Sequence, residues 1–229
     1  FAIALLSGPV SANDLSMTAV KDTLASIPGE HNYIYVRTPL GEDEEKNYDE
    51  ITFYDGLGRE LDFAQSYGAD RAGAIMAHHH LIEYDSLGRK EKQWLSTNTS
   101  FSYMSPEDLK GGVLWDYHDA GKRSYLQTNY ESSPLNRITE QYGVGDAWGD
   151  HPARMEYLTN IPADSLRCSF YFIDDNDSLI RRGDYRSGEL QVTKATDEDG
   201  KPTYTFVDKQ GRTLLTRLGR GNQQADTYF

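Results

Sequence analysis

Ile51-Thr52-Phe53-Tyr54-Asp55-Gly56-Leu57-Gly58-Arg59 and Leu81-Ile82-Glu83-Tyr84-Asp85-Ser86-Leu87-Gly88-Arg89 are two copies of one pattern, and the fold follows from how they are read. Each is a short run of β-branched, aromatic and aliphatic residues that enters a tight turn and leaves it on a basic residue. Asp55 takes the first turn position, where its carboxylate accepts hydrogen bonds from amides further along, and Gly58 takes a left-handed position closed to most residues. Asp85 and Gly88 repeat the arrangement. A four-residue turn followed by a left-handed glycine closes an antiparallel hairpin with a bulge.

The pattern returns near the C-terminus as Phe206-Val207-Asp208-Lys209-Gln210-Gly211-Arg212, and with lysine for arginine as Asp197-Glu198-Asp199-Gly200-Lys201. These two turns are so close that Lys201 to Val207 must serve both, which predicts a three-stranded meander over 192–218. A less regular copy is Asn129 to Arg137, where Asn136 stands in the glycine position; asparagine is the next most tolerant residue of a left-handed backbone. The Asp and Arg residues have a structural account that needs no ligand. Asp55 ties its turn, and Arg59 pairs with a carboxylate while its stem covers tyrosine. Tyr54 and Tyr84 anchor one sheet face and present hydroxyls to polar partners.

These Tyr-Asp-x-x-Gly-Arg units resemble the tyrosine-aspartate (YD) repeats of the RHS superfamily. The order of segments from Asn32-Tyr33-Ile34 onward is similar to the region that precedes the repeats in secreted bacterial RHS-like proteins. The resemblance covers roughly residues 32–229. It implies a wall of β-hairpins wound into a shell, a secreted, periplasmic or cell-surface location, and partners that are further RHS/YD repeats of the same full-length chain or another β-edge. Active cargo, where that family has it, lies beyond the repeats.

The fold class expected is therefore mainly β, with antiparallel hairpins and meanders of YD-repeat type and one or two short helices. Sixteen tyrosines and eight phenylalanines among 229 residues favour sheet over a helical bundle. A net charge of -13 disfavours binding to a phosphate backbone, so nucleic acid is not an expected partner. The one cysteine, Cys168, excludes an intrachain disulfide framework and leaves the redox compartment open.

Residues 1–30 read as a signal-like remnant, with an apolar Phe1 to Leu6 and a Val10-x-Ala12 cleavage pattern, followed by a short helix or linker over 16–27. An ordinary apolar first strand is the alternative for the beginning. Residues 31–229 read as one hairpin module, with a possible division near 140–152, where Gly143, Gly145 and Gly149 mark an irregular loop. Residues 65–77, rich in Gly and Ala, read as a long connection, and the second hairpin resumes at His79. Residues 96–102 read as a polar stretch. Ser105-Pro106-Glu107-Asp108 starts a helix, which Gly111-Gly112 is expected to cut short.

Candidate sites are few. His78 and His80 point to one face of a strand and His79 to the other, so two imidazoles at most share a ligand sphere unless His118 or His151 joins them. Asp174, Asp175 and Asp177 offer oxygen ligands for calcium without the spacing of an EF-hand, and turns need the same residue types. Asp197, Glu198 and Asp199 fall under the same argument. With 36 acids, carboxylate pairs of glycosidase type cannot be singled out from spacing. There is no Gly-x-Ser-x-Gly elbow and no His-Glu-x-x-His, and Gly56-x-Gly58 lacks the remaining features of a dinucleotide site. Cys168 lies in an apolar run and reads as a small buried hydrophobe.

The leading expectation is a non-enzymatic structural module of a larger secreted or cell-surface β-shell, with no cofactor. The alternative is binding of a glycan or another extended polymer through exposed Trp94, Trp115 and Trp148, which coplanar exposure in one groove would support. A hydrolase of unrecognised type is the remaining alternative.

Overall fold

The computed structural model describes residues 3–5, 24, 25, 27–39, 47–69, 75–220 and 223–229. They form a mainly antiparallel β protein with a single helix bounded at both ends. The chain divides into two compact units, residues 1–127 with 143–147 and residues 128–142 with 148–229.

In the first unit, β1 (Ile3–Leu5) runs parallel to β2 (Asn32–Pro39). An antiparallel ladder follows through β3 (Asn47–Tyr54), β4 (Glu60–Ala69) and β5 (Ile75–Tyr84). Two strands share the far side of β5. β7 (Thr97–Ser100) pairs with its first half and β6 (Lys90–Trp94) with its second. Between β7 and β8 (Tyr125–Tyr130) lies α1 (Pro106–Asp116), capped by the Ser105 hydroxyl, which accepts from the Asp108 amide. The first three residues of β8 belong to this unit, and Trp94 on β6 pairs with Tyr125 there.

Register explains the core. Tyr35, Ile51, Ala64, His79 and Thr97 stand opposite one another across five strands, and all are buried. Phe53, Asp62 and Leu81 form the next row inward. Ile27 and Phe101 lie on this face, with Leu24 and Tyr103 packed at its margin. Ala77 on β5 and Asp49 on β3 share this buried face, and the alternate side chains of these strands point away from it, as a period of two requires.

Two expectations are corrected here, and a stretch read only as polar gains a strand. Residues 65–69 and 75–77 are strand, because the β4–β5 ladder continues through a bulge between Ser66 and Gly68. Ala64 and Ala77 are fully buried in one cluster with Ile27 and Phe101. The polar stretch 96–102 contains β7, whose Thr97 is buried and whose ladder with β5 supplies the missing backbone partners. The helix passes through Gly111 and Gly112 to Asp116. A Cβ on Gly112 would lie 2.7 Å from Thr97 Oγ1, so this glycine permits close approach and does not end the helix.

In the second unit the last residues of β8 lead by a turn into β9 (Ile138–Tyr142) and then β10 (Ala153–Thr159). β13 (Gln191–Thr196), β14 (Pro202–Val207), β15 (Thr213–Arg220) and β16 (Gln223–Tyr228) continue an antiparallel meander, which contains the three strands expected over 192–218. An excursion between β10 and β13 carries a hairpin of its own, β11 (Ser169–Ile173) with β12 (Leu179–Asp184). Cys168, Leu190, Val192, Phe206 and Leu215 form the core between excursion and meander. Asn160, fully buried, closes the base of the excursion: its Nδ2 donates to the carbonyls of Tyr185 and Arg186, and its Oδ1 accepts from the Leu190 amide.

The signal-like stretch lies outside the described residues except for β1. Of the helix expected over 16–27, Leu24 and Ala25 are helical, and most of the remainder lies outside the described residues. Among the described residues no helix is long and apolar enough to cross a membrane.

Candidate functional site

The polar groups that recur in this chain are gathered at the hairpin turns. Asp55 Oδ1 accepts from the amides of Leu57 at 2.8 Å and Arg59 at 3.0 Å, and Oδ2 accepts from Arg59 Nε at 2.7 Å. Asp85 does the same with Leu87, Arg89 and the Arg89 guanidinium, and Asp208 with Gln210, Arg212 and its guanidinium. Asp197 ties the amides of Asp199 and Lys201. Gly58, Gly88, Gly200 and Gly211 all have φ between 78° and 82°.

Burial opposes the charged form of Asp55 and Asp85, but the amides and the arginine outweigh it and hold both carboxyls below the ordinary range. At Asp208 the Arg212 amide leads the same effect.

Two further turns are built the same way from different residues. At Glu131 to Arg137 the work of the aspartate is divided. The Ser133 hydroxyl accepts from the Leu135 amide, Glu131 takes the guanidinium of Arg137 through two bonds of 2.7 Å, and Asn136 sits at φ 55°. At Asp174 to Ser178, Asp174 Oδ1 accepts from the amides of Asn176 and Ser178, and Asp177 itself occupies the left-handed position at φ 57°.

Within each unit one turn arginine is locked to a neighbouring strand. Arg59 Cζ lies 4.5 Å from the centroid of the Tyr84 ring, and the Tyr84 hydroxyl donates to the Glu60 carbonyl. Arg137 Cζ lies 4.5 Å from the centroid of Tyr157, whose hydroxyl donates to the Ile138 carbonyl. Both tyrosines thus reach the carbonyl of the residue that follows the arginine they carry.

Sequence reasoning missed the buried polar pairs. His79 Nδ1 stands 2.7 Å from Asp62 Oδ2, and its Nε2 donates to the Ser100 carbonyl at 3.0 Å, tying β4, β5 and β7 together. A carbonyl can only accept, so Nε2 carries a proton. Asp62 Oδ1 is buried without a hydrogen-bond partner among the described residues.

Nearby, Asp49 accepts from the Tyr35 hydroxyl at 2.6 Å and from two nitrogens of Arg37. Burial pushes the Tyr35 phenol up, and the Asp49 carboxylate adds to the shift. In the second unit, buried Arg217 is bidentate to Asp226 and donates to the carbonyls of Ser165 and Arg167. Alternation placed His79 on the opposite face from its neighbours, but its partner depends on register.

Trp94, Trp115 and Trp148 are the aromatic candidates of the sequence. Trp94 is half-buried against Tyr125, and its Nε1 donates to Glu83. Burial works against the charge of Glu83, but Lys110 and the Trp94 indole hold its carboxyl below the usual range. Trp115, on α1, is 83% exposed, and no described ring contact joins it to Trp94. In the second unit, Trp148 is 47% exposed.

His78 stacks on Tyr67, His80 leans on Phe63, His118 is exposed beside Asp119, and His151 is exposed. Among the described residues no three His, Cys, Asp or Glu side chains are placed to hold a metal ion. Cys168 is buried, which pushes its thiol up to about 11.

The family described as a domain of unknown function (DUF6443) matches residues 32–159. No curated protein matches the chain.

Proposed function

We propose that this chain, which belongs to the DUF6443 family, serves as a non-enzymatic structural module in the wall of a larger secreted or cell-surface β-shell of RHS type. The observation that carries this reading is the use made of the recurring polar residues. Asp55, Asp85 and Asp208 each accept from two turn amides and from the arginine of their own turn, so their carboxylates are engaged in chain reversal.

A module of this kind gives its neighbours strands and register, and its partners are further hairpins of the same class. β16 is an edge of the meander in the second unit, and a row of main-chain groups on such an edge is a template for another strand. Electron microscopy of the full-length gene product tests the proposal. Residues 32–229 built into a closed β-wall are the expected result, and the same residues standing apart from any such wall overturn it.

A further inference from the structure

The outward face of the first unit's sheet differs from the rest of this acidic chain. Register sets Glu50, Gln65, His78 and Asn98 in one row across β3, β4, β5 and β7, and Thr52, Phe63 and His80 in the row beside it. Three strand spacings make the first row about 14 Å long.

Its side chains are planar and polar: a carboxylate, two amides and an imidazole. Glu50, the one formal negative charge among them, accepts from Gln65 Nε2 at 3.2 Å. At the bulge between Ser66 and Gly68, Tyr67 leans over the row, stacks on His78 with ring centres 4.4 Å apart, and is 53% exposed. Among the described residues neither the Tyr67 hydroxyl nor the His78 ring has a hydrogen-bond partner. Ile34 and Val36 border this surface and are themselves exposed. Burial holds His80 below the ordinary imidazole range, so that it stands neutral at pH 7.

We infer that this face binds a neutral glycan chain, laid across β3, β4, β5 and β7 with one sugar ring on Tyr67 and its hydroxyls on the Gln65, His78 and Asn98 side chains. Planar amide, carboxylate and imidazole groups suit the paired hydroxyls of a sugar, because each offers donors or acceptors in one plane. The apolar face of a pyranose ring in turn suits an exposed aromatic ring with a polar tip. A polyanion is disfavoured by the net charge of -13 and by the absence of a lysine or arginine from the two rows. The site uses none of the three tryptophans and stands or falls independently of the shell reading.

Native affinity electrophoresis in gels containing dextran, galactomannan, xylan or laminarin tests it, with Tyr67→Ala and Trp115→Ala as variants and thermal melts to check folding. Retardation of the parent in at least one gel is expected, kept by Trp115→Ala and weakened about tenfold or more in Tyr67→Ala. Tyr67 is exposed, so its removal leaves the core intact. The inference is overturned by mobility unchanged in every gel, by retardation that survives Tyr67→Ala, or by retardation that requires Trp115. Self-association in sedimentation that disappears in Tyr67→Ala also overturns it, since the face would then belong to a second copy of the chain.

Discussion

Arg59 lies over the ring of Tyr84, 4.5 Å from its centre, while the Tyr84 hydroxyl donates to the Glu60 carbonyl at 2.7 Å. Extending the Asp62–Leu81 register outward brings Arg59 opposite Tyr84, so the contact forms only when β4 and β5 are aligned as observed. A one-residue slip would move every core residue of β5 to the other face. Truncation at either position is expected to destabilise the fold by about 1 kcal/mol, from loss of the cation–π contact and, for Arg59, of its partly exposed ion pair with Asp55. A double-mutant cycle of Arg59→Ala and Tyr84→Ala should return a coupling of roughly 0.5–1 kcal/mol, and additive losses would show that the lock does no energetic work.

Glycines that look alike in the sequence separate by their surroundings. Gly58→Val and Gly88→Val are each expected to cost about 1 kcal/mol or more, because both positions have φ near 80°. At Gly88 a Cβ would also lie 3.0 Å from Arg59 Nη1. Gly111 has open space, so Gly111→Ala should stabilise by up to about 1 kcal/mol. Gly112→Ala should destabilise despite the same helical preference, since its Cβ meets Thr97. Thermal melts of this pair that shift in the same direction would contradict the packing of α1 on β7.

His79 and Asp62 form the buried pair whose loss should be felt most. Replacing one partner leaves the other buried and uncompensated, at a cost of about 3 kcal/mol or more. Asp62→Leu and His79→Leu are each expected to lower the denaturation midpoint further than the double variant does. A double variant worse than both singles would mean that the pair itself, and not the orphaned partner, sets the stability.

Acid sensitivity follows from the turns. The Arg137 guanidinium, with help from the Ser133 hydroxyl, lowers the Glu131 carboxyl from 4.5 to about 2. A carboxyl held lower in the folded chain than in the unfolded one contributes stability above the ordinary value. That contribution is lost as pH falls through the folded value. Between pH 4.5 and about 2 the parent should therefore lose stability faster than Glu131→Gln. Equal slopes in denaturation measured across that window would remove Glu131 from the account.

Cys168 should be inert in the folded protein. Its thiol is buried and pushed up to about 11, so thiolate is scarce at neutral pH. Alkylation by iodoacetamide at pH 8 is expected only after denaturation, and labelling of the native chain at the rate of free cysteine would count against the core placed around it.

How much of this was legible beforehand can be judged from particular elements. The turns at Asp55, Asp85, Asn136, Asp197 and Asp208 could be read directly, because a left-handed backbone and an aspartate that ties amides two and four residues on are local demands met by local residues. The helix start at Ser105 was legible for the same reason. The turn at Asp174 was expected, but the left-handed Asp177 was not, since nothing nearby marks it out from other acids. Residues 65–69 and 75–77 read as connection because Gly and Ala are poor strand formers by composition, and 97–100 read only as polar. They are strand because neighbouring ladders supply their hydrogen-bond partners.

The amino-acid order alone settled the hairpin turns at Asp55, Asp85, Asn136, Asp197 and Asp208 and the antiparallel pairing of the strands that each one joins, since both are decided within a few residues of backbone geometry. Only the tertiary structure decided which strand lies beside which half of β5, that His79 meets Asp62, and that Tyr67 and His78 share an open face. Those relations join residues far apart in the chain, and register, which no short stretch encodes, brings them together.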